Sequence, residues 1–147
     1  MRVLVVGAGG VGDAVARIAA RRSFFEVMVI ADYDLAKAQA TVAAAEAAGG
    51  GGRFRAAFVD ASDSASVTAL ALEHQATHVL NAVDPRFVMP IFDGAFAAGA
   101  DYLHMAMSLS HPHPSAPYSE VGVKLGDEQF AKAAEWEAAG RLALVGI

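Results

Sequence analysis

The chain has 147 residues, of which 55% are hydrophobic and none is cysteine, and its formal net charge is −5. That is one domain's length, and a mean hydropathy of +0.38 excludes intrinsic disorder. Without cysteine there are no disulfides, no thiolate catalysis and no cysteine-ligated metal, and an acidic balance with no basic cluster argues against nucleic acid as a partner.

No window approaches the roughly 20 apolar residues of a membrane span, and Met1-Arg2-Val3 opens without a signal-peptide layout. A soluble, cytoplasmic protein is expected. Short β-branched runs then alternate with alanine-rich helical patterns along the whole chain, the signature of a parallel sheet with crossover helices.

The first predicted strand is Arg2 to Val6, and a helix follows from about Gly10 to Arg22 with Val11, Val15, Ile18 and Ala19 on one face. Glu26 to Ala31 is the second strand. Asp34 can cap a helix from Leu35 to about Ala48, stopped by Gly49 to Gly52, a run that reads as a flexible connection. Arg53 to Val59 is a third strand, Ser62 or Asp63 opens the next helix, and Thr77 to Asn81 is a fourth strand.

Pro90 suits the first turn of a helix that Gly99 ends before the strand Asp101 to Met105. From Met105 to Lys124 three prolines and several serines preclude a continuous helix, and a loop of that length is usually functional or mobile. A last helix runs from Asp127 to about Ala139, and Leu142 to Val145 makes a sixth strand. The fold expected is α/β, a doubly wound parallel sheet of the Rossmann type in the order 3-2-1-4-5-6.

Gly7-Ala8-Gly9-Gly10-Val11-Gly12 lies at the first strand-to-helix junction. The first glycine permits a sharp exit from the strand, the second admits a pyrophosphate to the backbone, and the third lets the helix pack closely on the sheet. Free N–H groups and the helix dipole then attract the anion. Asp32 ends the second strand about 20 residues beyond the third glycine, where a carboxylate accepts hydrogen bonds from the ribose hydroxyls and repels a 2′-phosphate. Tyr33 beside it offers no guanidinium, so NAD is favoured over NADP.

Two further strand ends point at the same crevice. Asp60-Ala61 follows the third strand, where residues flank the adenine, although Asp60 has a second reading as the cap of a turn into the Ser62 helix. Asn81-Ala82-Val83 follows the fourth strand, on the nicotinamide side. His111-Pro112-His113-Pro114 brings only two imidazoles together without a completing carboxylate pair, so no metal site is expected. His104, at the end of the fifth strand, reads as a structural histidine with its hydrogen bonds satisfied, and no catalytic acid or base is assignable.

"MRVLVVGAGGVGDAVARIAA", "VLNAVDPRFVMPIFDGAFAAGADYLHMA" and "AAGRLALVGI", in that order, resemble the nucleotide-binding amino-terminal domain of the saccharopine dehydrogenase-like family, which includes lysine 6-dehydrogenase-like members. The resemblance covers nearly the whole chain. It implies NAD(P)-dependent chemistry at a carbon–nitrogen bond of an amino acid or polyamine-like substrate, and assigns Gly7, Gly9, Gly12, Asp32 and Asn81-Ala82 to the cofactor. It also implies that residues 1–147 are the nucleotide domain alone, with a substrate and dimerisation domain lying outside them.

Many members carry arginine where this chain has Tyr33, which strengthens NAD over NADP, and aspartate where it has His104. The alternative function is a regulatory nucleotide-sensing module of the kind that gates potassium uptake, which shares the glycine turn and acidic strand end. Such a module does not need the long Pro- and Ser-rich loop and the sixth strand.

Overall fold

The computed structural model describes residues 1–146. Its strands are β1 (Arg2–Val6), β2 (Val27–Asp32), β3 (Phe54–Phe58), β4 (His78–Asn81), β5 (Asp101–His104) and β6 (Ala143–Val145). Every pairing is parallel, and the order is β3-β2-β1-β4-β5-β6, as the sequence predicts. Right-handed crossovers then dictate the layers, because reversing direction after β3 puts later helices on the opposite face. Helices α1 (Gly10–Ala19) and α2 (Leu35–Ala47) lie on one face, and α3 (Ser64–Glu73) and α4 (Val88–Ala97) on the other.

Alternation along the strands divides the core accordingly. Val3 and Val5 of β1, with Met28 and Ile30 of β2, pack under the small residues Ala16, Ala19, Ala38 and Ala45. Leu4, Val6, Val29, Val79 and Tyr102 face the other way, against Val67, Leu70, Ile91 and Phe92. Fully burying each such large side chain contributes about 1.5–3 kcal/mol, so these two layers dominate stability.

Several local expectations change. Helix α1 ends at Ala19 rather than Arg22, and it buries Gly12, Ala16 and Ala19 while Val11 and Ile18 are 40% and 62% exposed. Small residues let the helix approach the sheet, and Ile18, with Val15, borders a groove over a part of the sheet that no helix of the described residues covers. Arg53 meets the carbonyls beyond the helix end, donating to Ala20 and Arg22 at 3.1 and 2.7 Å and to Gly50 at 2.9 Å. Its guanidinium also lies over the Phe25 ring.

The run Gly49–Gly52 is an anchored turn rather than a loose connection. Three of its glycines have φ near +70° to +106°, and Glu46 accepts from the Gly52 and Phe54 N–H groups at 2.8 and 3.0 Å. Those bonds, Gly52's first, hold the Glu46 carboxyl below its ordinary range.

At the carboxyl half, a 3-10 turn over Pro85–Phe87 leads into α4, with Pro90 in the first turn where it forfeits no intrahelical bond. The long loop after β5 is folded on itself. His111 pairs with Val123 in a single antiparallel bridge, Gly122 packs on the His111 carbonyl, and Ser108 accepts from the Gly126 N–H and donates its own N–H to the side-chain Oε1 of Gln129. The last helix is two pieces, α5 (Asp127–Phe130) and α6 (Ala133–Ala138). The break at Lys132 accompanies a 2.6 Å ion pair with Asp93 of α4, while Trp136 stacks on Phe92 and Phe96.

Candidate functional site

The carboxyl edge of the sheet is where β1 gives way to α1. Gly7 adopts φ +107° and donates its N–H to the Ala31 carbonyl at 2.7 Å. A Cβ there would lie 2.6 Å from Val83 Cγ1 and 2.8 Å from the Ala82 carbonyl, so the position requires glycine twice over. At Gly12 a Cβ would collide with the Gly7 carbonyl, and helix and turn touch there backbone to backbone. Around Gly9 and Gly10, by contrast, there is open space.

That contrast separates structural glycines from approach glycines. Helices α2 and α3 begin with Asp34 and Asp63 accepting backbone N–H groups, whereas α1 begins at Gly9 with no side-chain cap. The first N–H groups of α1, on Gly10, Val11 and Gly12, therefore lack intrahelical acceptors at the positive end of a helix dipole. An anion is the matching ligand.

Asp32, at the end of β2, is half-buried and already engaged. Its Oδ2 accepts from the Ala8 N–H at 2.7 Å and its Oδ1 from the Asp34 N–H at 2.9 Å. Each carboxylate oxygen keeps a further lone pair. Beside it opens a cavity of about 410 Å³, lined by Val6, Gly7, Asp32, Tyr33, Val59, Asp60, Ala61, Ser62, Val83 and Phe87. Tyr33 is 72% exposed and packs against Phe58 with ring centroids 5.5 Å apart, forming an aromatic flank to the acidic strand end.

Of the residues selected from sequence, Gly7, Asp32, Tyr33, Asp60, Ala61 and Val83 line this one cavity. Ala8, Gly9, Gly10, Val11 and Gly12 form the turn and helix start beside it. The Asp60 carboxylate accepts from the Ser62 hydroxyl at 2.6 Å and its N–H at 2.9 Å, contacts that lower its pKa. It thus caps its own turn and borders the cavity at the same time.

Asn81 stands apart from the cavity. It is 1% exposed, donates to the Tyr102 hydroxyl at 3.0 Å and accepts from the Val83 N–H at 3.1 Å, so its amide shapes the Asn81-Ala82-Val83 turn from beneath. Burial, with a smaller opposing effect of the Asn81 bond, raises the Tyr102 phenol far above its ordinary range. Sequence reasoning missed Val6, Val59, Ser62 and Phe87. Val6 and Val59 stand at or next to a strand's carboxyl end, whereas Ser62 and Phe87 lie in the turns after β3 and β4, where the sequence carries no signal for them.

His104 departs from expectation. It is buried, yet its Nδ1 has no hydrogen-bond partner. Burial lowers its pKa against a smaller opposing pull from the Val83 backbone, so the ring favours the neutral form. His113 is held locally, its Nδ1 accepting from the Ala116 N–H at 3.1 Å.

A parallel sheet in this order, with an uncapped helix behind a glycine turn and a carboxylate at the next strand end, defines a doubly wound nucleotide-binding domain. The chain belongs to the family described as the saccharopine dehydrogenase NADP binding domain, whose model matches residues 3–144. It is thus an NAD(P)-binding domain of saccharopine dehydrogenase-like oxidoreductases. No curated protein sequence matches it significantly.

Among solved structures, it is similar to apo saccharopine dehydrogenase (L-Glu forming) from Saccharomyces cerevisiae, with TM-score 0.67 and 19% identity over 99% of this chain and 27% of that one. It is also similar to quinate dehydrogenase from Corynebacterium glutamicum in complex with NAD, with TM-score 0.54 and 21% identity over 99% of this chain and 44% of that one. Sorbitol-6-phosphate 2-dehydrogenase from Erwinia amylovora gives TM-score 0.61 and 16% identity over 97% of this chain and 70% of that one. At these identities the likeness is one of fold. The chain spans about a quarter of the length of the yeast enzyme.

Proposed function

We propose that this chain is the cofactor-holding part of an oxidoreductase that oxidises or forms a carbon–nitrogen bond in an amino acid or polyamine-like substrate, with NAD preferred over NADP. The observation that carries the cofactor reading is Asp32, a carboxylate bordering the cavity and hydrogen-bonded to the turn that meets the pyrophosphate. The N–H groups of Gly10 to Gly12 would hold the pyrophosphate, Asp32 the adenine ribose, and Asp60, Ala61 and Tyr33 the adenine side. Val83, at the end of the turn braced by Asn81, and neighbouring Ala82 would border the path to the nicotinamide.

When bound, the nicotinamide supplies the hydride exchange. The chain's own contribution is to bind and orient. A 2′-phosphate would place like charge beside the Asp32 carboxylate, with no arginine at the next position to offset it. The carbon–nitrogen substrate class rests on membership of the family, and the substrate would be held by a further domain, with a homodimer formed through that domain.

Calorimetric titration with NADH and NADPH tests this. NADH should bind at least about tenfold tighter, a difference of about 1.4 kcal/mol. Asp32→Asn, which keeps an acceptor for the Ala8 N–H but removes the charge, should narrow the gap. Equal affinities, or binding of ATP in preference to either, would count against the reading and favour a regulatory module.

A further inference from the structure

The face of the sheet that carries α1 is covered over β1, β2 and β3 and, among the described residues, bare over β4, β5 and β6. Pairing register places Val5, Leu80, Leu103 and Leu144 in one row across four neighbouring strands. Alternation puts that row on the α1 side. Val15 and Ile18 of α1 form one wall of a groove of about 420 Å³ over this row, with Phe24 and Leu142 at its edge. Ile18, Phe24, Leu142 and Leu144 are 62%, 59%, 54% and 43% exposed.

All-parallel sheets are normally buried on both faces, and a contiguous apolar patch of this kind marks a contact surface. We propose that the groove receives one amphipathic helix from a part of the enzyme outside these 147 residues, lying antiparallel to β4, β5 and β6. This rests on the reading above that the chain belongs to a larger enzyme. In the yeast saccharopine dehydrogenase most of the chain lies outside the part this one matches.

One unpaired charge favours a polarity. A helix antiparallel to the strands ends at their amino edge, where the side chain of Arg22 lines the groove beside Met1 and Phe24. Arg22 has no carboxylate partner among the described residues. Asp101 lies at the same edge but is engaged by the Leu142 N–H at 3.0 Å and faces His78 at 3.7 Å. The negative end of the helix dipole, with acidic residues in the last turn, suits that edge. Strands β4 and β5, of four residues each, span about 13 Å, so a helix of about ten residues crosses them.

The probes are two synthetic peptides of about 15 residues with leucines at i, i+3, i+4 and i+7, one ending in glutamates and the other in lysines. Fluorescence anisotropy against the 147-residue chain should give at least fivefold tighter binding of the glutamate peptide at low salt, the gap closing as salt rises. Amide shifts should centre on Ile18, Leu80, Leu103 and Leu144. Ile18→Glu and Leu144→Glu should each abolish peptide binding and leave NADH affinity unchanged.

Three results would overturn the proposal: equal affinity for both peptides, undiminished binding in both variants, or a self-association of the chain that Ile18→Glu dissolves. Retained NADH binding in any of those outcomes leaves the nucleotide reading standing.

Discussion

Gly9 and Gly12 answer different needs, and substitution separates them. Gly9→Val enters open space, so the unfolding free energy from urea titration should fall by no more than about 1 kcal/mol, the cost of valine at a helix N-cap, while NADH affinity falls at least tenfold. Gly12→Ala drives a methyl into the Gly7 carbonyl, so denaturation and binding should both suffer. If Gly9→Val binds NADH normally, the pyrophosphate does not approach there.

His104 gives the pH prediction. Its folded pKa is lowered below the unfolded value of about 6.5, so the unfolded chain binds more protons in that interval and stability rises with pH. The contribution is complete above about pH 6.5 and is lost as pH falls toward the folded pKa. Urea midpoints at pH 7.5 and 5.5 should therefore differ more in the parent than in His104→Gln, which cannot titrate. Glu46 and Asp60, whose pKa values are lowered, lose stabilisation only at lower pH, as their carboxylates protonate.

Among the elements, strands and helices were legible wherever one period dominated. The β-branched runs at Val3–Val6 and Val27–Ile30 specified buried parallel strands, and Asp34 and the pair Ser62-Asp63 marked helix starts by the chemistry of capping, Asp63 being the cap of the second. The burial of α1 was legible in part: Ala19 and Val15 of the expected face pack on the core, while Val11 and Ile18 are exposed and the small Gly12 and Ala16 take the closest approach. The anchoring of the glycine turn was not legible, since Glu46 and Arg53 act through contacts that composition does not encode. Arg53→Ala removes three bonds that tie α1's end to the turn before β3, and should lower stability by about 1–3 kcal/mol in chemical denaturation without changing NADH affinity. A null effect would show that water replaces the guanidinium at those carbonyls.

For the whole molecule, strand order and crevice followed from the reversal of direction after β3, and Gly7, Asp32 and Asp60 converge there as their strand ends required. Asn81 converged differently, inward onto Tyr102, because a strand end alternates and one residue's shift turns an edge group into the core. Ligand linkage gives a test at this scale. NADH at about 100 times its Kd should stabilise the fold by about 2.7 kcal/mol, seen as a rise in Tm, and Gly9→Val should cancel at least about half of that rise.

The bond from the Ala8 N–H to Asp32 joins the acidic end of β2 to the glycine turn before any ligand arrives. Cofactor preference and loop shape are therefore one trait rather than two. An engineer who removes the side-chain acceptor at position 32 to admit a phosphorylated ribose also unties the glycine turn proposed above to seat the pyrophosphate. A successful swap has to keep or replace the acceptor for that amide while adding the new cation, and substitutions at position 32 that leave no acceptor, such as Asp32→Ala, should lose NADH affinity before they gain any for NADPH.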